Sequence, residues 1–93
     1  MDNRFGEMEV FARAVATGSF SAAARQLNMT PSAISRLVSR LEDRLQVRLL
    51  VRSTRSLTPT PEGEIYLAEA RSLLDRLTEM EARITDGAKA AVR

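Results

Sequence analysis

The chain has 93 residues, a formal net charge of +2 and 44% hydrophobic residues, a composition typical of one small folded domain. It contains neither cysteine nor histidine, which excludes disulfides, zinc–cysteine sites, thiol nucleophiles and the most common general base. No apolar run approaches the ~20 residues of a membrane span, and the N-terminal segment lacks the apolar region of a signal peptide. We therefore expect a soluble, cytoplasmic, helical protein with no cofactor, metal or membrane partner.

Charge is distributed unevenly along the chain. Residues 25–55 contain seven arginines against two acidic residues, a net charge of +5. Residues 61–93 contain five basic and seven acidic residues, a net charge of −2. This polarity favours a polyanion-binding surface in the first half of the chain and a different role for its end.

Two helices are predicted before residue 30. The first runs from about Asn3 to Thr17, with Gly18 at its C-terminal turn. The second is short, opens at Ser19 or Ser21, either of which can act as N-cap, and ends near residue 28. The inward face of the first helix follows the helical spacing 0, +3, +4 and +7 and consists of Met8, Phe11, Ala12 and Val15.

A third helix is predicted to begin after the N-cap Thr30, with Pro31 at its first position, and to end at about Leu45 or Gln46. With the second helix and the short turn between them, it forms a helix-turn-helix. Its apolar side consists of Ile34, Leu37, Val38, Leu41 and Leu45. Arginine recurs every fourth residue across the same region, at Arg36, Arg40, Arg44, Arg48 and Arg52.

The polar side of the third helix is the candidate for contact with DNA. A helix that packs by an apolar face and displays arginines and serines on the other suits the DNA major groove. Arginine can donate two hydrogen bonds to guanine, and serine can donate to or accept from several bases. Because bases are reached from the N-terminal part of such a helix, the candidates are Ser32, Ser35, Arg36, Ser39 and Arg40.

Contacts with the DNA backbone are predicted around this helix. Thr30 and Pro31 place the free N–H groups of a helix N-terminus toward phosphates, and Ser21 is assigned a similar role. Glu42 and Asp43, which lie beside two arginines, are interpreted as ordinary pairs on the helix surface.

A two-stranded β wing is predicted after the third helix. The β-prone residues 47–51, a turn and residues 56–58 indicate two short strands, which Pro59 and Pro61 end. Arg52 and Arg55 flank the tip, where a guanidinium could neutralise a phosphate or enter a narrow minor groove.

A long helix is predicted from Pro61 to about Thr85, before Gly87. Apolar residues recur along it at alternating intervals of four and three, as in a coiled coil. The residues before it are too few to cover this length, so the stripe is predicted to contact a second copy of the chain. Its members are Tyr66, Ala70, Leu73, Leu77, Met80 and Ile84.

Residues 11–63, FARAVATGSFSAAARQLNMTPSAISRLVSRLEDRLQVRLLVRSTRSLTPTPEG, resemble the N-terminal domain of LysR-type transcriptional regulators of bacteria. The resemblance rests on the succession Ala-Ala-Arg-x-Leu, Ser-Ala-Ile-Ser-Arg, Leu-Glu-x-x-Leu, Leu-x-x-Arg and Thr-x-x-Gly, and it continues into the following helix. It implies a winged helix-turn-helix, a linker helix that dimerises and a larger C-terminal effector-binding domain. By position, Ser32, Ser35 and Arg36 match the family's recognition-helix contacts, and Arg52 and Arg55 match its wing.

The chain departs from the family pattern at four positions. Gln46 stands where glycine is usual, which predicts a less sharp turn between the third helix and the wing. Leu50 replaces a usual phenylalanine, and Leu37 and Ser32 stand where glutamine is common.

Taken together, the fold is predicted to be mainly α: a winged helix-turn-helix of three helices plus a two-stranded β wing, followed by a long dimerisation linker helix. Residues 1–60 form the DNA-binding domain, 61–86 the linker helix, and 87–93 a flexible tail that begins the hinge to an effector domain absent from this chain. The predicted partners are double-stranded DNA that carries an imperfect palindrome and a second copy of the chain. For the full-length protein, a tetramer is the alternative to this homodimer. A small-molecule effector would bind only through the absent domain.

One alternative function remains open at this point: a helical protein-interaction module whose basic face meets an acidic partner. An enzyme is disfavoured because the four glycines are scattered and the chain has no convergent carboxylate pair.

Overall fold

The computed structural model describes residues 3–52 and 57–91, with side chains described as far as residue 87. In chain order the elements are α1 (Arg4–Thr17), α2 (Phe20–Leu27), α3 (Pro31–Leu45), β1 (Leu50–Arg52), β2 (Leu57–Pro59) and α4 (Pro61–Ala91). This confirms the predicted fold class of three helices, a two-stranded wing and a long final helix.

Local hydrogen bonds define where the helices of the helix-turn-helix begin. The hydroxyl of Ser19 accepts a hydrogen bond from the Ala22 N–H at 3.0 Å, which identifies Ser19 as the N-cap of α2. The hydroxyl of Thr30 accepts one from the Ala33 N–H at 3.1 Å and caps α3, as predicted. Gly18 ends α1 with φ of 79°, a left-handed conformation that glycine adopts without strain.

Among the described residues, two non-glycine residues also take left-handed conformations, Asn28 after α2 and Gln46 after α3, with φ of 57° and 56°. The Gln46 side chain supports its own turn, because Nε2 donates to the Asp43 carbonyl oxygen at 2.6 Å. Gln46 therefore adopts the conformation that glycine favours, and the predicted loosening of this turn is not found.

The hydrophobic core lies between the first three helices and the wing, and its largest fully buried side chains are Phe11, Ile34, Val38, Leu41 and Leu49. Three of these come from α3 and confirm the centre of its predicted apolar side. The edges of that side are more open than predicted: Leu37 is half-buried, and Leu45 is 40% exposed because it lies in the last turn of the helix.

The buried face of α1 differs in register from the prediction. Ala12 and Val15 are only half-buried, whereas Phe11 is fully buried. The observed buried face begins at the charged Glu7 and continues at the spacing +3, +4 and +7. A search for apolar residues alone begins one residue later, at Met8, and therefore selects the neighbouring register. The buried residues of α1 are Glu7, Met8, Val10, Phe11 and Ala14.

The two wing strands pair antiparallel, with Leu50 opposite Pro59 and Arg52 opposite Leu57. Leu50 points into the core, whereas Val51 is exposed, as the alternation of a strand requires. Residues 53–56 of the predicted wing tip, including Arg55, lie outside the described residues.

Helix α4 is joined tightly to the wing at Thr60. The Thr60 hydroxyl accepts from the Gly63 N–H at 3.0 Å and donates to the Arg48 carbonyl oxygen at 2.6 Å. The Thr60 N–H donates to the Leu49 carbonyl oxygen at 3.0 Å. The start of α4 is therefore held against the entrance of β1.

The rest of α4 extends away from the helix-turn-helix. Ala70 is its last buried residue, and residues 71–87 are exposed or half-buried. The helix passes Gly87 and continues to Ala91, so the predicted end near Thr85 is wrong. One glycine costs a helix only about 1 kcal/mol, and the alanines that follow favour its continuation. Among the described residues, no helix is long and apolar enough to cross a bilayer.

Two glycines of α4 give a stability test. A Cβ at Gly63 would overlap the backbone carbonyl of Leu49, whereas a Cβ at Gly87 would meet no atom within 4 Å. We expect Gly63→Ala to lower the free energy of unfolding by about 1–3 kcal/mol, and Gly87→Ala to raise it by about 0.5–1 kcal/mol. Urea unfolding followed by circular dichroism measures both, and equal midpoints for the two variants would contradict the close approach at Gly63.

Candidate nucleic-acid interface

The predicted base-contacting residues lie together on the outer face of α3. Ser32, Arg36 and Arg40 are exposed, and Ser35 and Ser39 are half-buried at the edges of that face. This arrangement follows from the burial of Ile34, Val38 and Leu41 on the opposite side of the same helix.

The predicted backbone-contacting residues at the helix starts are also at the surface. Thr30 and Pro31 are exposed at the N-terminus of α3, and Ser21 is exposed at the second position of α2. The Thr30 hydroxyl already accepts the N-cap hydrogen bond from Ala33, so its O–H donor and one acceptor lone pair are left for a ligand.

The five regularly spaced arginines divide into two groups. Arg36 and Arg40 make no hydrogen bond or ion pair with the part of the chain that the structure describes, so their guanidinium groups are available to a ligand. The other three, Arg44, Arg48 and Arg52, each pair with a carboxylate of this chain. The unpaired arginines of this series are therefore those in the N-terminal and central turns of α3.

Glu42 is the principal residue that sequence reasoning misjudged. The sequence pattern predicts a surface pair, but Glu42 is 5% exposed and each of its carboxylate oxygens accepts two hydrogen bonds. Oε2 accepts from the backbone N–H groups of Leu49 and Leu50 at 2.8 and 3.2 Å. Oε1 accepts from Arg48 and Arg52 at 3.4 and 3.3 Å.

A signal for the burial of Glu42 is present in the sequence. Counting from the buried Ile34, it occupies the +8 position, which belongs to the inward face together with Val38 at +4 and Leu41 at +7. Three arginines, Arg44, Arg48 and Arg52, follow it within ten residues. An acidic residue at an inward position near such donors predicts a buried, hydrogen-bonded carboxylate.

Arg52 lies at the end of β1, but its side chain turns toward the helices. Nη2 donates to Ser39 Oγ at 3.1 Å and to Glu42 Oε1 at 3.3 Å, and the guanidinium lies 5.4 Å from the centre of the Phe20 ring. The prediction that Arg52 contacts DNA from the wing is untested, and the structure gives this guanidinium three partners within its own chain.

Arg44, in the last turn of α3, also pairs with a carboxylate of its own chain. Its Nη2 lies 2.7 Å from Glu7 Oε1 on α1. Tyr66 of α4 packs edge-to-face on Phe11, with ring centres 5.2 Å apart. Burial raises the pKa of the Tyr66 hydroxyl above its ordinary value of 10.0; the Arg44 charge opposes this shift and the Glu7 charge adds to it.

The residues predicted to form an interface with a second copy do not all remain accessible. Ala70 is buried within its own chain, so it offers no surface to a partner, and Tyr66 is half-buried beside Phe11. Leu77 is half-buried. The large exposed members of the predicted stripe are Leu73, Met80 and Ile84.

The architecture and this surface define the chain as a winged helix-turn-helix protein, in which α3 occupies the position of the recognition helix. It belongs to the lysR family of bacterial regulatory helix-turn-helix proteins, whose sequence profile matches residues 5–64. This confirms the family resemblance and places the chain in a class of regulatory proteins rather than enzymes.

Two curated relatives illustrate the similarity. The transcriptional activator AaeR of Escherichia coli K12 is 49% identical over 81 residues, which cover 87% of this chain and 26% of that protein. The regulator CrgA of Neisseria meningitidis serogroup C is 46% identical over 78 residues, which cover 84% of this chain and 26% of that protein. The chain thus spans about a quarter of the length of these relatives.

Solved structures of similar fold include two domains in complex with DNA. The BenM domain bound to catB site 1 DNA superimposes with a TM-score of 0.86 and 30% identity, covering 95% of this chain and 97% of that one. The CbnR domain bound to DNA superimposes with a TM-score of 0.74 and 33% identity, covering both chains completely, at 100% each.

The position of Tyr66 gives a pH test. Because its folded-state pKa is raised, its contribution to stability is complete below pH 10.0 and is lost as the pH rises through the folded-state value. Tyr66 is the only tyrosine of the chain, so ultraviolet absorbance of the phenolate reports it directly. We expect the Tyr66 hydroxyl to titrate at a higher pH in the folded chain than in the urea-unfolded chain. Coincident titration curves would contradict the burial of this hydroxyl.

Proposed function

We propose that this chain binds double-stranded DNA sequence-specifically as the DNA-binding part of a bacterial transcriptional regulator. In this proposal, α3 enters the major groove by its outer face and the wing lies along the phosphate backbone or the minor groove. The residues assigned to DNA are Ser21, Thr30, Pro31, Ser32, Ser35, Arg36, Ser39 and Arg40, together with Arg55 of the wing.

The observation that carries the proposal is the state of Arg36 and Arg40. Both extend from a rigid, capped helix whose opposite side is fully buried, and neither is paired with a described carboxylate. A buried helix fixes the direction of its outer side chains, and an unpaired guanidinium retains all five donors for a base edge or a phosphate. The likeness to DNA-bound BenM and CbnR domains supports the same conclusion.

We further propose that the chain acts as a homodimer through α4. A mainly apolar groove beside this helix is lined by Phe5, Leu73, Leu77 and Met80 together with the charged residues Arg76, Glu79 and Arg83, and Phe5 of α1 is itself largely exposed. Burial of such a groove against a second copy would remove several large apolar side chains from water. Two recognition helices held in this way would read the two halves of an imperfect palindrome.

The remaining parts of the proposal concern the whole protein. A regulator of this type acts in the cytoplasm, where its DNA is located. Its curated relatives are about three times as long as this chain, which leaves room for a separate effector-binding domain and for assembly as a tetramer.

Arg36 is the first residue to test. We expect Arg36→Ala to weaken binding to a duplex selected from a random pool by about 1–3 kcal/mol and to flatten discrimination at one base pair, because bidentate contact with a guanine is lost. Fluorescence anisotropy against the selected and a scrambled duplex measures both quantities. Arg71→Ala, which removes the same charge from the exposed surface of α4, is the control and should leave discrimination intact.

Two outcomes would contradict this assignment. One is an Arg36→Ala variant that discriminates as the parent does. The other is a parent chain that binds selected duplex, scrambled duplex and a DNA-unrelated polyanion equally at moderate salt, which would favour the acidic-partner alternative.

The dimer proposal is tested on α4. We expect Met80→Glu to shift the chain toward monomer, because it places a charge in the apolar groove. Sedimentation velocity measures the shift. Thr78→Glu is the matched control, since Thr78 is exposed on the same helix but points about 160° away from Met80. Equal sedimentation of the two variants would place the interface elsewhere.

A further inference from the structure

The guanidinium of Arg52 links three elements of the fold. It belongs to β1, it donates to Ser39 and Glu42 on α3 at 3.1 and 3.3 Å, and it lies 5.4 Å from the centre of the Phe20 ring on α2. Each contact uses a different property of the group: a donor to a hydroxyl, a charge beside a carboxylate, and a flat cation against an aromatic face.

Glu42 makes this link rigid. Its buried carboxylate is occupied on both oxygens, by the backbone N–H groups that begin β1 and by the guanidinium groups of Arg48 and Arg52. A buried carboxylate is costly unless all its acceptor positions are used, so the position of β1 and the position of the Arg52 guanidinium are coupled through one group.

Arg48 provides a contrast on the same carboxylate. It too lies within 3.4 Å of Glu42 Oε1, but its side chain is 76% exposed, whereas that of Arg52 is 32% exposed. The Arg48 side chain therefore reaches Glu42 from the solvent and makes no second hydrogen bond or ion pair with residues 3–52 and 57–87, while Arg52 is held on several sides. The two arginines carry the same charge and share one partner, which makes Arg48 a control for Arg52.

We propose that Arg52 is a positioning residue, which sets the angle between the wing and the recognition helix through Ser39, Glu42 and Phe20, and that it does not neutralise a DNA phosphate. The inference rests on the proposed DNA-binding function and sharpens it: of the two wing arginines, only Arg55 is left to touch DNA. Specificity then depends on Arg52 without any contact between Arg52 and a base.

Substitutions at the two ends of the link distinguish positioning from phosphate contact. Arg52→Lys keeps the charge but removes the planar group, Arg52→Gln removes the charge, and Glu42→Gln removes the carboxylate with little change of shape. Arg48→Gln is the matched control. Each variant is assayed below its own unfolding midpoint, against the selected and the scrambled duplex, over a range of salt concentrations.

The positioning role predicts a particular pattern. Arg52→Lys and Arg52→Gln should both lower affinity for the selected duplex by about tenfold and leave binding to the scrambled duplex nearly unchanged. The slope of log affinity against log salt should not change. Glu42→Gln should show the same loss, and the Glu42→Gln/Arg52→Gln double variant should lose little more, because both changes break one link. Arg48→Gln should keep the discrimination between the duplexes.

A phosphate contact predicts a different pattern. Arg52→Gln would then reduce the salt slope by roughly 0.9, Arg52→Lys would restore both slope and affinity, and Glu42→Gln would raise affinity by removing a negative charge near the DNA. Any of these results would overturn the inference.

Hydrogen exchange of the free chain separates failure of this inference from failure of the proposed function. We expect Arg52→Lys to accelerate amide exchange in β1 and β2 while α1 and α3 keep their protection. If the parent chain selects no sequence from the random pool, the DNA-binding proposal fails, and the exchange result alone decides the role of Arg52. Unchanged exchange in both strands would overturn the positioning role.

Discussion

The carboxylate of Glu42 is the interaction on which the arrangement of helix and wing depends. At the end of α3 the chain leaves helical geometry, passes Gln46 and enters β1, so the backbone N–H groups of Leu49 and Leu50 need acceptors in a buried place. Glu42 supplies them at 2.8 and 3.2 Å. Its charge is in turn compensated by two arginines that follow within ten residues. The recognition helix thus carries, on its inner side, the group that directs the strand after it.

The arginines of α3 therefore serve two different purposes: some are available to a ligand and one joins α3 to α1. Guanidinium groups near its N-terminal half, on Arg36 and Arg40, have no described partner, whereas Arg44 is held by Glu7 of α1 at 2.7 Å. An arginine that pairs with a carboxylate of its own chain stabilises the helix that carries the unpaired arginines. A rigid helix makes a guanidinium group selective, because the direction of its hydrogen bonds is set before a ligand binds.

The sequence was sufficient for features whose causes are local. Thr30 before Pro31 predicts the start of α3, Gly18 predicts a left-handed end of α1, and the apolar spacing predicts the burial of Ile34, Val38 and Leu41. Features that depend on residues distant in the chain were missed. Neither the pairing of Glu7 with Arg44 nor the turning of Arg52 toward Phe20 is visible in the spacing of one helix, because each requires the packing of two elements. The local preference of Gly87 predicts the end of the helix, but the surrounding helix formers outweigh it and α4 continues to Ala91.

The attachment of α4 at Thr60 has a mechanical consequence. Hydrogen bonds of 2.6 and 3.0 Å join this residue to the carbonyl groups of Arg48 and Leu49, so no flexible linker separates the wing from α4. A helix of 31 residues is ~46 Å long at ~1.5 Å per residue. It acts as a stiff lever, and a sideways force applied at its distant end arrives at its base as a torque. A partner that binds the C-terminal end of α4 can therefore also change the tilt of the wing.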